Sequence, residues 1–160
     1  MNPRIKTTLR FLFILYGLLM LWLLFGQRLS VDIPGTYWER LRDNVNLTPF
    51  LTIKKFINTA TITTNPYLVR HSFINLVGNV VMFIPLGFFP PYFWDKLQHF
   101  THCMLWSTGC IVTIELIQLF TLLGSCDVDD LILNMVGATI GYGLYRLLYP
   151  LLKYTDRKMS

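Results

Sequence analysis

Long apolar runs alternate with shorter polar segments along this chain. Four of the runs are close to membrane-spanning length, at about 9–26, 73–94, 103–123 and 131–152. An α-helix needs ~20 residues to cross ~30 Å of hydrocarbon, and each run approaches that length. Such runs are typical of membrane helices rather than of the buried helices of a soluble protein. The pattern predicts an all-α, polytopic membrane protein: one domain over residues 1–160, built as a bundle of four transmembrane helices.

The segment 27–72 is a long predicted loop between the first two spans, and it is neither low in complexity nor rich in Gly and Ser. Within it, Ile53, Phe56 and Ile57 recur at helical spacing beside two lysines. This spacing predicts a short helix within 50–62 that lies on the membrane surface. Such a helix would either cover the polar residues described below or pack loosely at the interface.

The composition supports a membrane protein. The chain is 53% hydrophobic and 14% charged, which is poor in charge for a soluble domain. Its formal net charge of +5 comes mostly from basic residues that flank the apolar runs, and no Lys/Arg-rich block or nucleic-acid motif occurs. The sequence therefore excludes a nucleic-acid partner and favours the lipid bilayer. Nothing in it indicates a cofactor.

The first apolar run follows basic residues, as the core of a secretory signal peptide would. However, its apolar stretch is longer than that of most signal peptides, and Gly26-Gln27-Arg28 is a poor cleavage site. We therefore expect an uncleaved membrane helix.

The distribution of charge predicts an orientation, because Lys and Arg favour the cytoplasmic side of a membrane. Basic residues precede the first span, follow the second and close the chain: Arg4, Lys6, Arg10, Lys96, Lys153, Arg157 and Lys158. The acidic loop 124–130 would lie on the opposite side. The basic residues of the loop 27–72 oppose this assignment. We expect both termini in the cytoplasm.

Acids and amides interrupt segments that are otherwise suited to lipid: Asn75, Asn79, Glu115, Gln118, Asp127, Asp129, Asp130 and Asn134. Ionisable groups inside membrane spans are costly, so they usually face the bundle interior and mark a functional site. With both termini inside, helical rise places all of these residues in one outer-facing layer. The layer predicts a polar intramembrane pocket, although Asp129 points elsewhere on an ideal helix.

Simpler roles exist for the same residues. The asparagines can hydrogen-bond between helices and hold the bundle together. Asp127 or Asp130 can cap the last span and complement its dipole. Carboxylates with a nearby amide can also hold a hard cation through oxygen. The metal-free interpretation is preferred, and the His and Cys positions form no recognisable metal-binding pattern either.

Small residues in the second and last spans predict close helix packing. Gly137 and Gly141 form a G-x-x-x-G step, which lets another helix approach its backbone. Pro85 lies inside the second span and is expected to kink it, freeing backbone carbonyl groups near the polar layer.

Taken together, these motifs resemble the VanZ family. The resemblance covers about 46–145 and rests on these elements in order: Asn46-Leu47-Thr48-Pro49-Phe50, Asn75-x3-Asn79-x3-Phe83-x-Pro85-x-Gly87, Glu115-x2-Gln118 and Gly124-Ser125-x-Asp127-x-Asp129-Asp130-x3-Asn134-x2-Gly137-x3-Gly141. It implies a multi-pass protein of the bacterial cytoplasmic membrane. It also implies a contribution to tolerance of teicoplanin, a glycopeptide with a lipid tail, as in glycopeptide-resistance clusters.

The sequence leaves three functions open. The first is engagement of an amphipathic ligand, either an envelope lipid or a lipoglycopeptide antibiotic, in the polar pocket. The second is an enzyme acting on a lipid-linked envelope precursor, which no recognised catalytic motif supports. The third is a purely structural role in membrane assembly. We expect the first, without catalysis; the oligomeric state is not indicated.

Overall fold

The computed structural model describes residues 3–26, 35–62 and 65–159. Its helices are α1 (Pro3–Leu21), α2 (Tyr37–Asp43), α3 (Leu51–Ile62), α4 (Pro66–Phe88), α5 (Phe100–Phe120) and α6 (Val128–Met159). A π-helical segment, Trp22–Gly26, continues α1, and two 3-10 turns, Pro90–Tyr92 and Asp95–Gln98, connect α4 to α5. The strands β1 (Val45–Asn46) and β2 (Cys126–Asp127) form one short parallel pair.

Four of these helices are long and apolar enough to cross a membrane, which confirms the predicted fold class. They are Ile5–Gly26, Pro66–Tyr92, Phe100–Phe120 and Val128–Leu151. The second begins at residue 66, earlier than the predicted 73, because Asn65 and Pro66 provide a helix start. The Asn65 side chain accepts the N–H of Tyr67 at 3.0 Å, and proline suits the first helical position.

The predicted loop 27–72 is largely structured where it is described. It contains α2, β1, α3 and the first turns of α4, whereas residues 27–34 and 63–64 lie outside the described part of the chain. The short helix predicted within 50–62 is present as α3. It packs against α4 and, to a lesser extent, against α6.

Helices α4 and α6 run in the same direction and form the closest helix pair of the bundle. A Cβ atom at Gly137 would overlap the carbonyl oxygen of Val80, and one at Gly141 would overlap that of Ile84. Gly87 meets the backbone of Ala138 in the same way. The predicted small-residue step therefore lies where two backbones touch. Helix α4 continues through Pro85 to Phe88, so the proline does not end it.

The bundle has two chemically different ends. At the polar end, α5 finishes and α4 and α6 begin. At the aromatic end, Tyr92, Tyr142 and Tyr145 form a buried cluster with Leu97 and Cys103.

Helix α1 is the least embedded of the four spans, since only 6% of the residues in its apolar stretch are buried within the protein. A hydrogen bond from the Tyr16 hydroxyl to the carbonyl oxygen of Met82, at 2.9 Å, joins α1 to α4. Met20, which is 6% exposed, anchors the same face against Phe83, Leu86 and Ile111. Open apolar grooves lie on both sides of this contact line.

Candidate functional site

The candidate site lies at the polar end, where all eight predicted polar residues are found. The structure separates them into three places. Asp127 and Asp129 connect α6 to the segment before α4. Asn79, Glu115, Gln118, Asp130 and Asn134 line an enclosed cavity, and Asn75 faces an adjoining groove.

Asp127 joins three parts of the chain and is 7% exposed. Its Oδ2 accepts hydrogen bonds from the hydroxyl of Thr52 at 2.6 Å and from the amide of Asn46 at 3.2 Å. Its Oδ1 accepts the backbone N–H of Asp129 at 2.9 Å. Asp127 therefore caps α6 while holding β1 and the first turn of α3.

Asp129 is fully buried and caps a different helix, α3. Its carboxylate accepts the backbone N–H of Phe50 at 2.5 Å and that of Ile53 at 3.0 Å. Phe50 has a φ of 63°, an unfavourable value for a residue with a side chain. The conformation directs its N–H to Asp129, so this contact compensates for the local strain.

These contacts place two of the predicted pocket residues elsewhere and do not favour the alternative of a cation shared by the aspartates. Asp127 and Asp129 do not line the predicted pocket, because their carboxylates are engaged by the N-terminal region of α3. The aspartates also do not converge on one cation, since Asp130 faces the cavity instead. We call the contacts of Asp127 and Asp129 with Asn46, Phe50, Thr52 and Ile53 the aspartate bracket.

The enclosed cavity, called the polar cavity below, has a volume of about 50 Å³. Six polar residues line it, together with Leu24, Phe83 and Ile114: Asn79, Glu115, Gln118, Ser125, Asp130 and Asn134. The amide of Asn79 donates to Oδ1 of Asp130 at 2.5 Å and thereby links α4 to α6. Five of the eight predicted residues therefore meet here.

The polar cavity is buried and rich in oxygen atoms. Glu115 and Gln118 are each 6% exposed, and Asn134 is 2% exposed. The Oδ1 atom of Asn134 is buried and accepts no hydrogen bond from the described part of the chain. Among the described residues that line the cavity, none is Lys, Arg or His.

Cys126 lies next to this site, in β2 and outside the spans. Burial raises the pKa of its thiol, and the carboxylates of Glu115 and Asp127 add to that rise. The thiol is therefore less reactive than an exposed cysteine. Within the described residues, no group of three or more His, Cys, Asp or Glu side chains could hold a metal ion.

A groove of about 540 Å³ separates α1 from α4. It is mostly apolar, with Asn75 and Asn79 as its amide-bearing residues, and Gly78 and Pro85 also line it. Leu24 and Asn79 line both this α1–α4 groove and the polar cavity, so the two spaces adjoin. A second, more apolar groove of about 880 Å³ lies between α1 and α5.

Sequence reasoning missed several residues of the site. Ser125 and Leu24 line the polar cavity, and Asn46 and Thr52 complete the aspartate bracket. The sequence does mark Asn46, because this residue begins the Asn46–Phe50 element of the family resemblance. No sequence pattern marks Thr52 or Leu24, because the residues that they contact are distant in sequence.

Comparison with known proteins identifies the family of this chain. The VanZ/LLP1 family model matches residues 13–149. Protein VanZ of Enterococcus faecium is 30% identical over 146 residues, which cover 89% of this chain and 76% of that protein. No solved structure matches the chain. Because the family match covers most of the chain and reaches into all four membrane-capable helices, the protein belongs to the VanZ/LLP1 family.

Proposed function

We propose that this protein contributes to tolerance of lipid-tailed glycopeptides such as teicoplanin by engaging an amphipathic molecule at the polar end of its bundle. The observation that carries the proposal is the junction at Asn79 of an apolar groove and a polar cavity. An amphiphile would place its apolar tail in the groove and its polar head against Asn79, at the edge of the cavity. Membership of the VanZ/LLP1 family supports the proposal.

The head group, rather than the tail, would decide which molecule is bound. A tail that moves from the bilayer into a groove exchanges one apolar environment for another and gains little from the hydrophobic effect. Polar contacts count for more, because water is scarce at that depth. Asn75 and Asn79 at the groove supply hydrogen-bonding groups there. The ligand is thus either an envelope lipid or the antibiotic itself.

The proposal is one of binding and not of catalysis. The polar cavity places Glu115 and Asp130 together, which a general acid and base would require. However, about 50 Å³ is far smaller than the roughly 300–1,000 Å³ of typical ligand pockets. A reacting lipid head group would not fit inside, so these carboxyl groups support the site from within.

Filling the α1–α4 groove is expected to remove the activity. Gly78 lines the groove, and a Cβ atom there would meet no atom within 4 Å, so Gly78→Phe occupies the groove without a backbone clash. In a susceptible bacterial host, the wild type should raise the inhibitory concentration of teicoplanin several-fold more than that of vancomycin. Gly78→Phe should return it to the empty-vector value.

The matched control is Gly143→Phe, because Gly143 is also unobstructed but lies outside both grooves. It should protect as well as the wild type at an equal membrane level. Equal protection by Gly78→Phe would exclude the groove. Equal shifts for the two drugs with the wild type, or none, would remove the teicoplanin role.

We further propose that the protein lies in the bacterial cytoplasmic membrane with both termini inside and the polar end outside. The test uses single cysteines in a variant whose three native cysteines are replaced by serine. Leu47, at the polar end, and Lys96, near the aromatic end, are both exposed positions. A membrane-impermeant maleimide should label Leu47→Cys in intact cells and Lys96→Cys only after lysis. The reverse pattern would invert the orientation.

A further inference from the structure

We propose that the exposed side of α3 binds anionic phospholipid of the bilayer in which the protein lies. Five exposed side chains form this side, called the basic face of α3 below: Leu51, Lys54, Lys55, Ile57 and Ile62. On a helix with ~100° per residue they fall within an arc of roughly 160°. The half-buried side chains lie on the opposite side: Thr52, Ile53, Phe56 and Thr59.

The position of α3 indicates that lipid covers this face. Asp129, in the first turn of α6, holds the N-terminal end of α3, and Ile62 at its other end comes four positions before Pro66, where α4 begins. Both α4 and α6 are membrane-capable spans. A short helix that is fixed where two spans begin lies at the boundary between acyl chains and head groups. Leu51, Ile57 and Ile62 are 52%, 49% and 79% exposed there, so their apolar side chains can enter the acyl chains.

The charge of α3 indicates an anionic head group. The helix contains two lysines and no Asp or Glu. Both lysines are exposed, and neither forms an ion pair with the residues that the structure describes. The acids that contact α3 lie on its half-buried side, where Asp129 accepts the N–H of Ile53 and Asp127 accepts the hydroxyl of Thr52. A lysine stem can rest on apolar neighbours while its ammonium group reaches a lipid phosphate.

The surrounding segment has the same charge balance. Residues 27–72 contain six Lys and Arg residues and three Asp and Glu residues. These basic residues oppose the assignment of the polar end to the outside of the cell. Attraction to anionic head groups gives them a role at the bilayer surface, and this role requires a lipid charge rather than a particular side of the membrane.

This inference goes beyond the proposed function and does not depend on it. The basic face of α3 contributes no residue to the α1–α4 groove or to the polar cavity. Vesicles test lipid binding without an antibiotic, so loss of either proposal would leave the other standing.

The experiment compares two lipids next to α3 in the full chain, reconstituted in phosphatidylcholine vesicles. A fluorophore is attached at Leu51→Cys, one helical turn from Lys55, in the variant whose three native cysteines are replaced by serine. Nitroxide-labelled phosphatidylglycerol, or phosphatidylcholine with the same labelled chain, is then added in increasing fractions. The two quenching curves give the preference for the anionic lipid. We expect about tenfold or more at low salt, since one interfacial lysine contributes roughly fivefold.

Variants make the result specific. Lys54→Gln/Lys55→Gln should bring the preference close to one and leave the unfolding temperature in neutral vesicles unchanged. The matched control, Arg10→Gln/Lys96→Gln, removes two exposed basic residues near the aromatic end and should keep the preference. A fluorophore at Ile140→Cys, an exposed position midway along the last span, should be quenched equally by the two lipids.

Several outcomes would overturn the proposal. Absence of quenching at Leu51→Cys by either lipid would place the basic face in water. Equal quenching by both lipids, an undiminished preference in Lys54→Gln/Lys55→Gln, or the same preference at Ile140→Cys would remove the specific site. A lower unfolding temperature of the glutamine variant in neutral vesicles would assign the lysines to the fold. If that variant does not insert, a wild-type preference that persists at high ionic strength overturns the proposal.

Discussion

Replacing Gly137 with alanine is expected to destabilise the protein strongly. Its added Cβ would overlap the carbonyl oxygen of Val80, a backbone atom that cannot move without displacing α4. Overpacking in a close-packed interior costs about 1–3 kcal/mol and occasionally more. Because α4 and α6 form the closest helix pair, we expect about 3 kcal/mol or more and a lower Tm in detergent.

Gly143→Ala provides the matched control on the same helix. A Cβ at Gly143 meets nothing within 4 Å, so only the helix preference of alanine over glycine remains. That preference stabilises a helix by about 0.5–1 kcal/mol. Similar Tm values for Gly137→Ala and Gly143→Ala would contradict the close approach of α4 and α6.

Removing the Asp129 carboxylate is expected to release α3 from α6. In Asp129→Ala the backbone N–H groups of Phe50 and Ile53 lose their acceptors. Both hydrogen bonds are part-buried, and a hydrogen bond to a charged group contributes about 1.5–3 kcal/mol, so we expect a loss of about 2–4 kcal/mol. The strained Phe50 would also lose its compensating contact. A lower Tm and faster proteolysis within 45–62 would show both effects.

Asp43→Ala is the comparison for this prediction, since it removes an exposed aspartate near the same segment. Asp43 ends α2, where an acid gains nothing from the helix dipole, so its loss should change stability little. If Asp129→Ala were as stable and as protease-resistant as Asp43→Ala, the aspartate bracket would not hold α3.

Apolar run length was enough to predict the fold class, because a bilayer requires about 20 apolar residues per helix. It could not predict where α4 begins. The first turns of that helix contain Arg70, His71 and Ser72, so hydropathy excludes them although the backbone is helical. The local start signal, Asn65 before Pro66, contained the missing information.

Helical spacing predicted which polar residues share a face, and five of them meet in the polar cavity. It failed for Asp127 and Asp129 because their partners, Thr52 and Phe50, lie 75 and 79 positions away. Neither periodicity nor composition records such distant contacts. The Asn46–Phe50 and Gly124–Asp130 elements of the family resemblance are the two sides of that bracket, but their pairing became evident only in the fold.

The central claim is that the polar cavity serves function whereas the aspartate bracket serves the fold. Glu115→Gln tests it most directly, because the substitution keeps the size of a buried cavity residue and removes its carboxyl group. The measurement is the inhibitory concentration of teicoplanin and of vancomycin for a susceptible host expressing wild type or variant at equal membrane levels. The account predicts selective protection against teicoplanin by the wild type and its loss in Glu115→Gln. Full protection by Glu115→Gln would contradict it.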